Sequence, residues 1–243
     1  MQDDRLVTWF GRAHELGAVI ESVLEGRHGR VTVSGDAARL SVGCYEIFGG
    51  DPASSEARDL IAGAARPREL VYLNDPAWRR LILEVHGSAV EDRPMRDYDP
   101  RTLDPAVLRQ LEEALPTGVE LRAFDLALAG QLDAGLEPHA LQVFEDAQDF
   151  VDRGLGFGAV IDGRLTCAAT SYTRSSRSVE VAISTREDFR GRGIAAVTAA
   201  RLLRACLSLG LAPRWSASNL LSQRLAVRLG FHPAGVCEVL YLR

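Results

Sequence analysis

Two arginines and two glycines alternate from Arg190 to Gly193, where an apolar, strand-like run ends and a helical pattern rich in alanine and leucine begins. Glycine at these positions lets the backbone curl and approach a ligand without a Cβ in the way. The first N–H groups of the helix have no partner inside it, and the helix dipole adds partial positive charge to that of the arginines. The segment therefore predicts an anion site, and a pyrophosphate suits it on physical grounds.

The spacing at this corner excludes two common nucleotide-binding loops. The pattern GxxxxGK[ST] of a Walker loop does not occur in the sequence. A dinucleotide fingerprint requires a third glycine, but Ala196 stands there, and no acidic residue follows about 20 positions later. The corner thus predicts a phosphate site of another kind.

The six residues from Arg190 to Ala195 resemble the [QR]xxGx[GA] acetyl-CoA loop of the GNAT superfamily of N-acetyltransferases. The resemblance continues at Asn219 and Ser222, which match a late helix motif NxxS/A, and at the Gly230-Phe231 pair after that helix. It covers residues 118–243 well. The whole pattern is similar to a GNAT subgroup with an extra N-terminal domain, which includes a zwittermicin-resistance acetyltransferase.

The resemblance implies a site for acetyl-CoA as cosubstrate. Amides at the corner would hold the pyrophosphate, a splayed strand would pair with the pantetheine arm, and two residues of the late helix would lie near the pantetheine or phosphate. The residues so implied are Ile183, Ser184 and Thr185 on the strand, Arg190, Gly191, Arg192, Gly193, Ile194 and Ala195 at the corner, and Asn219 and Ser222 on the helix.

Glu180 is the residue that we expect to act as the catalytic base. Transfer to an amine requires a neutral nucleophile, and removing the proton from a lysine-like amine at pH 7 costs roughly 4–5 kcal/mol. Glu180 precedes Thr185 by five residues on the strand that should line the cleft, and it shares a strand face with Ala182 and Ser184. The alternative is a solvated carboxylate paired with Arg174 or Arg177.

The general acid is not identified by the sequence. Many GNAT enzymes carry a tyrosine seven residues after the asparagine of the late helix, to protonate the leaving thiolate, and here that position is Ala226. The replacements that we consider are Tyr172, Tyr241, His232 and Ser222. The absence leaves the catalytic mechanism open without affecting the prediction of acetyl-CoA binding.

The second half of the chain predicts the elements that position these residues. Three antiparallel strands come first, and Asp162-Gly163 favours a hairpin turn between two of them. The corner and its helix, a strand that includes Trp215, the helix after Asn219 and a final strand follow. The predicted fold is α/β (α+β), with a GNAT-type mixed, mostly antiparallel central sheet and flanking helices.

The first half predicts a smaller α/β domain with a similar order of elements. We expect a helix around 13–24, strands at 30–35 and 38–50, a helix at 54–65, a strand at 68–74, a helix from Pro76 to Gly87, and a connection at 91–105 with at most one strand. The half has no RxxGx[GA] corner, so it is interpreted as a GNAT-like domain without a CoA site. The expected domains are 1–105 and 106–243.

Composition limits the partners and the location. The formal charge of −5 over 243 residues gives no basic field that would attract nucleic acid. No apolar run approaches the ~20 residues of a membrane span, and no secretion signal opens the chain. Four isolated cysteines fit a reduced, cytoplasmic protein. No metal is expected, since His14, His28, His86 and His139 show no ligand grouping, and a homodimer is left open.

The predicted function is acetyl-CoA-dependent N-acetyl transfer to a primary amine of a small molecule. Direct transfer in a ternary complex is favoured because no cysteine stands at the corner to carry the acetyl group. The two alternatives are a non-catalytic module that binds or senses acyl-CoA, and an acetyltransferase acting on proteins or peptides.

Overall fold

The structure is a computed structural model that describes residues 4–11, 16–132, 136 and 141–243. The elements of the first half are α1 (Asp4–Phe10), α2 (Gly17–Leu24), β1 (Arg30–Ser34), β2 (Ala37–Val42), β3 (Tyr45–Gly50), α3 (Ala57–Ala62), β4 (Arg68–Val71), α4 (Pro76–His86), β5 (Val90–Asp92) and β6 (Met95–Asp99). His14, His139 and the start of the first predicted helix lie outside the described residues.

The second half begins with a capped helix and continues through the corner. Its elements are α5 (Pro105–Glu113), β7 (Glu120–Ala123), α6 (Leu126–Ala129), α7 (Ala147–Arg153), β8 (Gly156–Ile161), β9 (Arg164–Arg174), β10 (Ser178–Thr185), α8 (Ile194–Ser208), β11 (Ala212–Ala217), α9 (Leu220–Arg228), β12 (His232–Cys237) and β13 (Val239–Leu242). No helix of the described residues has the length and apolar character needed to cross a bilayer.

Two mixed, mostly antiparallel sheets with flanking helices form the fold, which confirms the predicted fold class. The first sheet has the order β1-β2-β3-β4-β13-β5, and the second has the order β12-β6-β11-β10-β9-β8-β7. Each contains a parallel pair, β3 with β4 and β10 with β11. The two halves of the chain therefore repeat one plan of strand pairing.

Each sheet also contains one strand from the other half of the chain. Strand β6 lies between β11 and β12 in the second sheet, and β13 lies between β4 and β5 in the first. Both exchanged strands occupy the same place in the repeated plan, beside the second strand of the parallel pair. The division into domains at residues 105 and 106 stays a prediction, and the sheets do not follow it strand by strand.

Local differences from the expected elements have visible causes. The predicted strand at 38–50 is two strands, because Gly43 adopts a φ of 52° and turns the chain between β2 and β3. A Cβ at Gly43 would stand 1.8 Å from the Tyr172 hydroxyl, so the turn packs directly on β9. The connection at 91–105 contains part of β5 and the whole of β6, and α3 is shorter than the predicted 54–65.

The corner helix α8 is anchored by its apolar face. Leu202 and Cys206 are fully buried and pack with Val179 of β10 in one cluster. Helix α2 of the first half contacts β9 and β10, and the Glu21 carboxylate accepts hydrogen bonds from Ser175 Oγ at 2.9 Å and Ser178 Oγ at 2.7 Å. Strand β10 is therefore held both by α8 and by the N-terminal half.

Leu240→Ala should destabilise the protein by about 2–5 kcal/mol, because it opens a cavity in the middle of the first sheet. Leu240 is 1% exposed, it packs with Phe48 and Trp78, and its strand pairs on both edges. Val236→Ala on β12, where the side chain is 41% exposed, is the control. Denaturant unfolding measures both, and equal losses would contradict the central place of β13.

Candidate functional site

Strands β10 and β11 separate after a short stretch of parallel pairing. They pair at Ser178–Ala212, Val179–Pro213 and Glu180–Arg214, and no further. Strand β9 stays paired with β10 as far as Thr185, with a register shift between Glu180 and Val181. Among the described residues, no strand pairs with the other edge of β10 beyond Glu180, so the backbone groups of that edge face the gap. This is the splayed strand that the resemblance implies.

A cavity of about 660 Å³ fills the gap between the two strands. Most of the residues predicted to bind the cosubstrate line it. They are Ile183, Ser184, Thr185, Arg190, Gly191, Gly193, Ile194, Ala195, Asn219 and Ser222. Two predicted residues, Glu180 and Arg192, do not line it. The cavity therefore brings the corner, the strand and the late helix together in one space.

The corner has the backbone that a phosphate cradle needs. Gly193 caps α8 with a φ of 81°, Gly191 has a φ of 76°, and a Cβ built on either glycine meets nothing within 4 Å. Within the described residues, the amides from Gly191 to Ala195 make no hydrogen bond to a backbone carbonyl. Free amides, a helix N-terminus and open space fit a pyrophosphate.

The two arginines of the corner point in different directions. Arg190 lines the cavity, and its Nε donates to the Thr185 carbonyl at 3.2 Å. Arg192 donates to the Asp188 carbonyl at 2.8 Å, and its guanidinium lies 5.0 Å from the centre of the Phe189 ring. A second cation in the lining is Arg228 at the end of α9, which sequence reasoning missed.

The late helix is fixed to β11 by side-chain hydrogen bonds. Asn219 is the N-cap of α9, and its Oδ1 accepts from the Ser222 amide at 2.9 Å. The Ser222 hydroxyl accepts from Trp215 Nε1 at 3.0 Å, and Trp215 also lines the cavity. Within the described residues, the hydroxyl proton of Ser222 has no acceptor, which leaves it available to a ligand.

Glu180 lies at the point where the strands begin to separate and is 4% exposed. Burial raises the pKa of its carboxyl to about 8, Asp97 adds to the rise, and hydrogen bonding by Ser216 and the charge of Arg214 oppose it. Its Oε2 atom is buried without a hydrogen-bond partner among the described residues. Ser216 lines the cavity and hydrogen-bonds Glu180, so it connects the buried carboxyl group with the open space.

Of the four replacements considered for the missing tyrosine, Ser222 alone lines the cavity within the described residues. The Tyr172 hydroxyl accepts from the Cys44 amide at 2.8 Å and lies against Gly43. Tyr241 belongs to the first sheet, where Arg93 stacks on its ring at 3.5 Å. His232 is exposed at the start of β12.

In the N-terminal half, the helix that matches α9 carries a large side chain where Ser222 stands. Asp75 caps α4 as Asn219 caps α9, and three residues later Trp78 replaces serine. Trp78 is 2% exposed, stacks on Phe48 and donates from Nε1 to the Gly50 carbonyl at 3.3 Å. Its ring thus packs on the end of β3, and the absence of a CoA site here stays a prediction.

The residues around Glu180 and in the cavity lining that sequence reasoning missed include Ser216, Asp97 and Arg228. Ser216 stands in a small polar run after Trp215, which is typical of a strand that lines a cavity. Asp97 lies in the segment interpreted as a connection, so no local signal could place it near Glu180. Within the described residues, no three His, Cys, Asp or Glu side chains group as metal ligands would.

Matches to known proteins extend over almost the whole chain. The model of the family described as GNAT acetyltransferase matches residues 12–239. The uncharacterized N-acetyltransferase YdfB of Bacillus subtilis (strain 168) is 24% identical over 199 residues, which are 78% of this chain and 74% of that protein. A GCN5-related N-acetyltransferase-like protein from Streptococcus suis is 29% identical, covers 100% of both chains and has a TM-score of 0.86.

A more distant solved structure is similar in fold alone. It is a tandem GNAT protein from the clavulanic acid biosynthesis pathway, with 16% identity and a TM-score of 0.57 over 87% of this chain and 80% of that one.

Proposed function

The chain belongs to the GNAT acetyltransferase family, so it is an acyltransferase, and we propose that it transfers the acetyl group of acetyl-CoA to a primary amine of a small molecule. The transfer is direct, within a ternary complex. The observation that carries this proposal is the single cavity that runs from the phosphate cradle at Gly193 to Ser216, beside the buried Glu180.

The cosubstrate is held by three groups of residues. The amides from Gly191 to Ala195 and the Arg190 guanidinium bind the pyrophosphate, and the open edge of β10 at Ile183, Ser184 and Thr185 binds the pantetheine arm. Asn219 contributes by fixing the start of α9. Bound acetyl-CoA supplies the acetyl group as a thioester. Open positive-φ glycines, unpaired amides and an unpaired strand edge support this assignment.

Glu180 accepts the proton of the incoming ammonium group. It does so through the Ser216 hydroxyl, since Ser216 lines the cavity and Glu180 does not. A base with a pKa raised to about 8 by burial binds that proton far more strongly than an ordinary carboxylate does. Burial of the carboxylate, which makes its ionised form costly, therefore supports its role as the base.

Ser222 donates a hydrogen bond to the sulfur atom as the thiolate leaves. Its oxygen already accepts from Trp215 Nε1, and this bond orients the hydroxyl so that its proton points away from the indole. Ser222 lies one helical turn before Ala226, so it stands on the same face of α9 as the missing tyrosine. The attacking nitrogen gives up a second proton as the amide forms. The sulfur atom takes that proton and leaves as the free thiol of CoA.

Ser222→Ala is expected to lower kcat about tenfold and to leave the Kd of acetyl-CoA within about twofold, because one hydrogen bond to a developing charge is lost. The deficit should shrink with acetyl thioesters whose leaving thiol is more acidic, since such thiolates need less stabilisation. A deficit that is the same for every leaving thiol would contradict the role. Ser208→Ala, an exposed serine on α8, is the control.

A small acceptor is favoured by the size of the cavity. Its volume of about 660 Å³ lies within the range of small-molecule sites and must also hold the pantetheine arm. The acceptor end is lined by small or apolar side chains, including Ala168, Thr170, Ala182, Leu132 and Leu136. Side chains of this size leave room for a compact amine.

The proposed function is tested by acetyl-CoA titration calorimetry together with a thiol-release assay on small amines, amino acids and lysine peptides. We expect binding of acetyl-CoA and release of CoA thiol with at least one small amine, with no turnover of the peptides. Turnover of peptides alone would favour a protein acetyltransferase. Tight binding without turnover of any amine would favour a sensing module.

A further inference from the structure

A line of polar side chains crosses three strands of the second sheet beside the cavity. Glu180 of β10 pairs with Arg214 of β11, and Ser216 follows two residues later on the same strand face. Ser216 in turn lies directly opposite Asp97 of the exchanged strand β6. Residues that oppose each other across a ladder, or stand two apart on a strand, project from the same side of a sheet. All four side chains therefore share one face.

The two carboxyl groups of this line are both buried. Glu180 is 4% exposed and Asp97 is 6% exposed. The neighbouring Arg214 has a buried Nε without a hydrogen-bond partner among the described residues, as does Glu180 Oε2. One guanidinium beside two buried carboxyl groups favours a state in which Glu180 keeps its proton. The charge of Asp97 accordingly adds to the rise in the pKa of Glu180.

The other elements that pack around Glu180 bring groups that stay neutral or are already paired. Tyr45 of β3 and Tyr172 of β9 are phenols whose pKa is raised well above the usual value, mainly by burial. Glu21 of α2 forms an ion pair with Arg177 at 2.9 Å. Asp99, two residues beyond Asp97, pairs with Arg101 at 2.8 Å. Asp97 is thus the carboxyl group placed to act on Glu180.

We propose that Asp97 is a positioning residue for acetyl transfer, which the N-terminal half supplies on its exchanged strand. Its carboxyl group holds Glu180 and Ser216 in one line and sets the pH range in which Glu180 accepts the proton of the amine. The proposal rests on the proposed function, in which Glu180 is the base. It gives the N-terminal half a part in the site, although the cosubstrate cavity is lined by the second half.

The pH dependence of kcat/KM tests this proposal through Asp97→Asn, which keeps the shape of the side chain and removes its charge. Without the neighbouring charge Glu180 ionises more readily, so the acid limb of the profile should move to lower pH by about half a unit to one unit. The plateau at high pH should fall a few-fold, because a weaker base is left. Asp99→Asn, on the same strand and face, should leave the limb in place.

Glu180→Gln separates failure of this proposal from failure of the catalytic role assigned to Glu180, while the thiol-release assay tests acetyl transfer itself. If Glu180→Gln keeps the wild-type kcat, Glu180 is not the base, and both its role and the proposal for Asp97 are wrong although acetyl transfer stands. If Glu180→Gln loses activity while Asp97→Asn keeps the wild-type limb, the proposal for Asp97 alone is overturned.

A titration without turnover gives a second readout in case Asp97→Asn loses activity for structural reasons. The protein is labelled with carbon-13 at the glutamate carboxyl carbons, and the Glu180 signal is assigned by its loss in Glu180→Gln. We expect the midpoint of that signal to lie above those of exposed glutamates in the wild type and to fall in Asp97→Asn. An unchanged midpoint would overturn the proposal.

Discussion

Gly193→Glu should weaken the binding of acetyl-CoA by at least about 100-fold, which corresponds to about 2.8 kcal/mol. The new side chain would project into the space that is open around Gly193, where the pyrophosphate is expected. Its carboxylate would be stabilised by the N-terminus of α8 and would compete with the ligand for the same amides. Titration calorimetry measures the change, and a Kd within threefold of the wild type would remove the corner as the phosphate site.

Gly210→Glu is the matched control for this variant. Gly210 follows the other end of α8, has a φ of 70° and also has nothing within 4 Å of a built Cβ. Both variants force a residue with a Cβ into the left-handed region, which costs roughly 1–2 kcal/mol of stability. We expect thermal unfolding to show a similar loss of stability for Gly193→Glu and Gly210→Glu. Gly210→Glu should nevertheless bind acetyl-CoA as the wild type does.

Glu180→Gln should lower kcat by about 10²- to 10⁴-fold and leave the Kd of acetyl-CoA within about twofold, because it removes the proton acceptor and keeps the side-chain shape. The wild-type kcat/KM should rise with pH and level off above about 8, following the raised pKa of Glu180. The variant should show no such rise. Glu112→Gln on α5, remote from the cavity and paired with Arg201 at 3.1 Å, is the control.

Stability gives an independent check on the same residue. Burial raises the pKa of Glu180 from 4.5 to about 8, so the folded state binds its proton more tightly than the unfolded state does. Stability from this group is therefore present in full below pH 4.5 and is lost as the pH rises towards 8. Glu180→Gln should accordingly gain stability relative to the wild type at pH 9. If the free energy of unfolding were the same at pH 5 and at pH 9, both for the wild type and for Glu180→Gln, the burial of an ionisable group at this position would be contradicted.

The backbone geometry of the corner and of the late helix was predictable because its signals are local. Glycines at 191 and 193, the helix after them and the cap at Asn219 are short-range features with direct backbone consequences. The hairpin at Asp162-Gly163 and the proline-initiated α4 were predictable for the same reason. Each of these depends on a few neighbouring residues and not on the rest of the chain.

The surroundings of Glu180 were less predictable because they are built from distant segments. Periodicity indicates which face of a strand is buried but not which strand lies beside it. The pattern of Met95–Asp99 therefore could not indicate that β6 pairs with β11, or that Asp97 lies near Glu180. Likewise, Arg192 resembles a phosphate ligand in sequence, but its guanidinium lies over Phe189 in the fold.

The exchange of β6 and β13 between the two sheets also determines how the protein would respond to cleavage between its halves. A protease nick between α5 and β7 would leave two fragments that each supply an inner strand to the other's sheet. Such fragments would remain together as a non-covalent complex and would part only on unfolding. For the same reason we expect that neither half expressed alone completes its own sheet, because each lacks the inner strand that the other supplies.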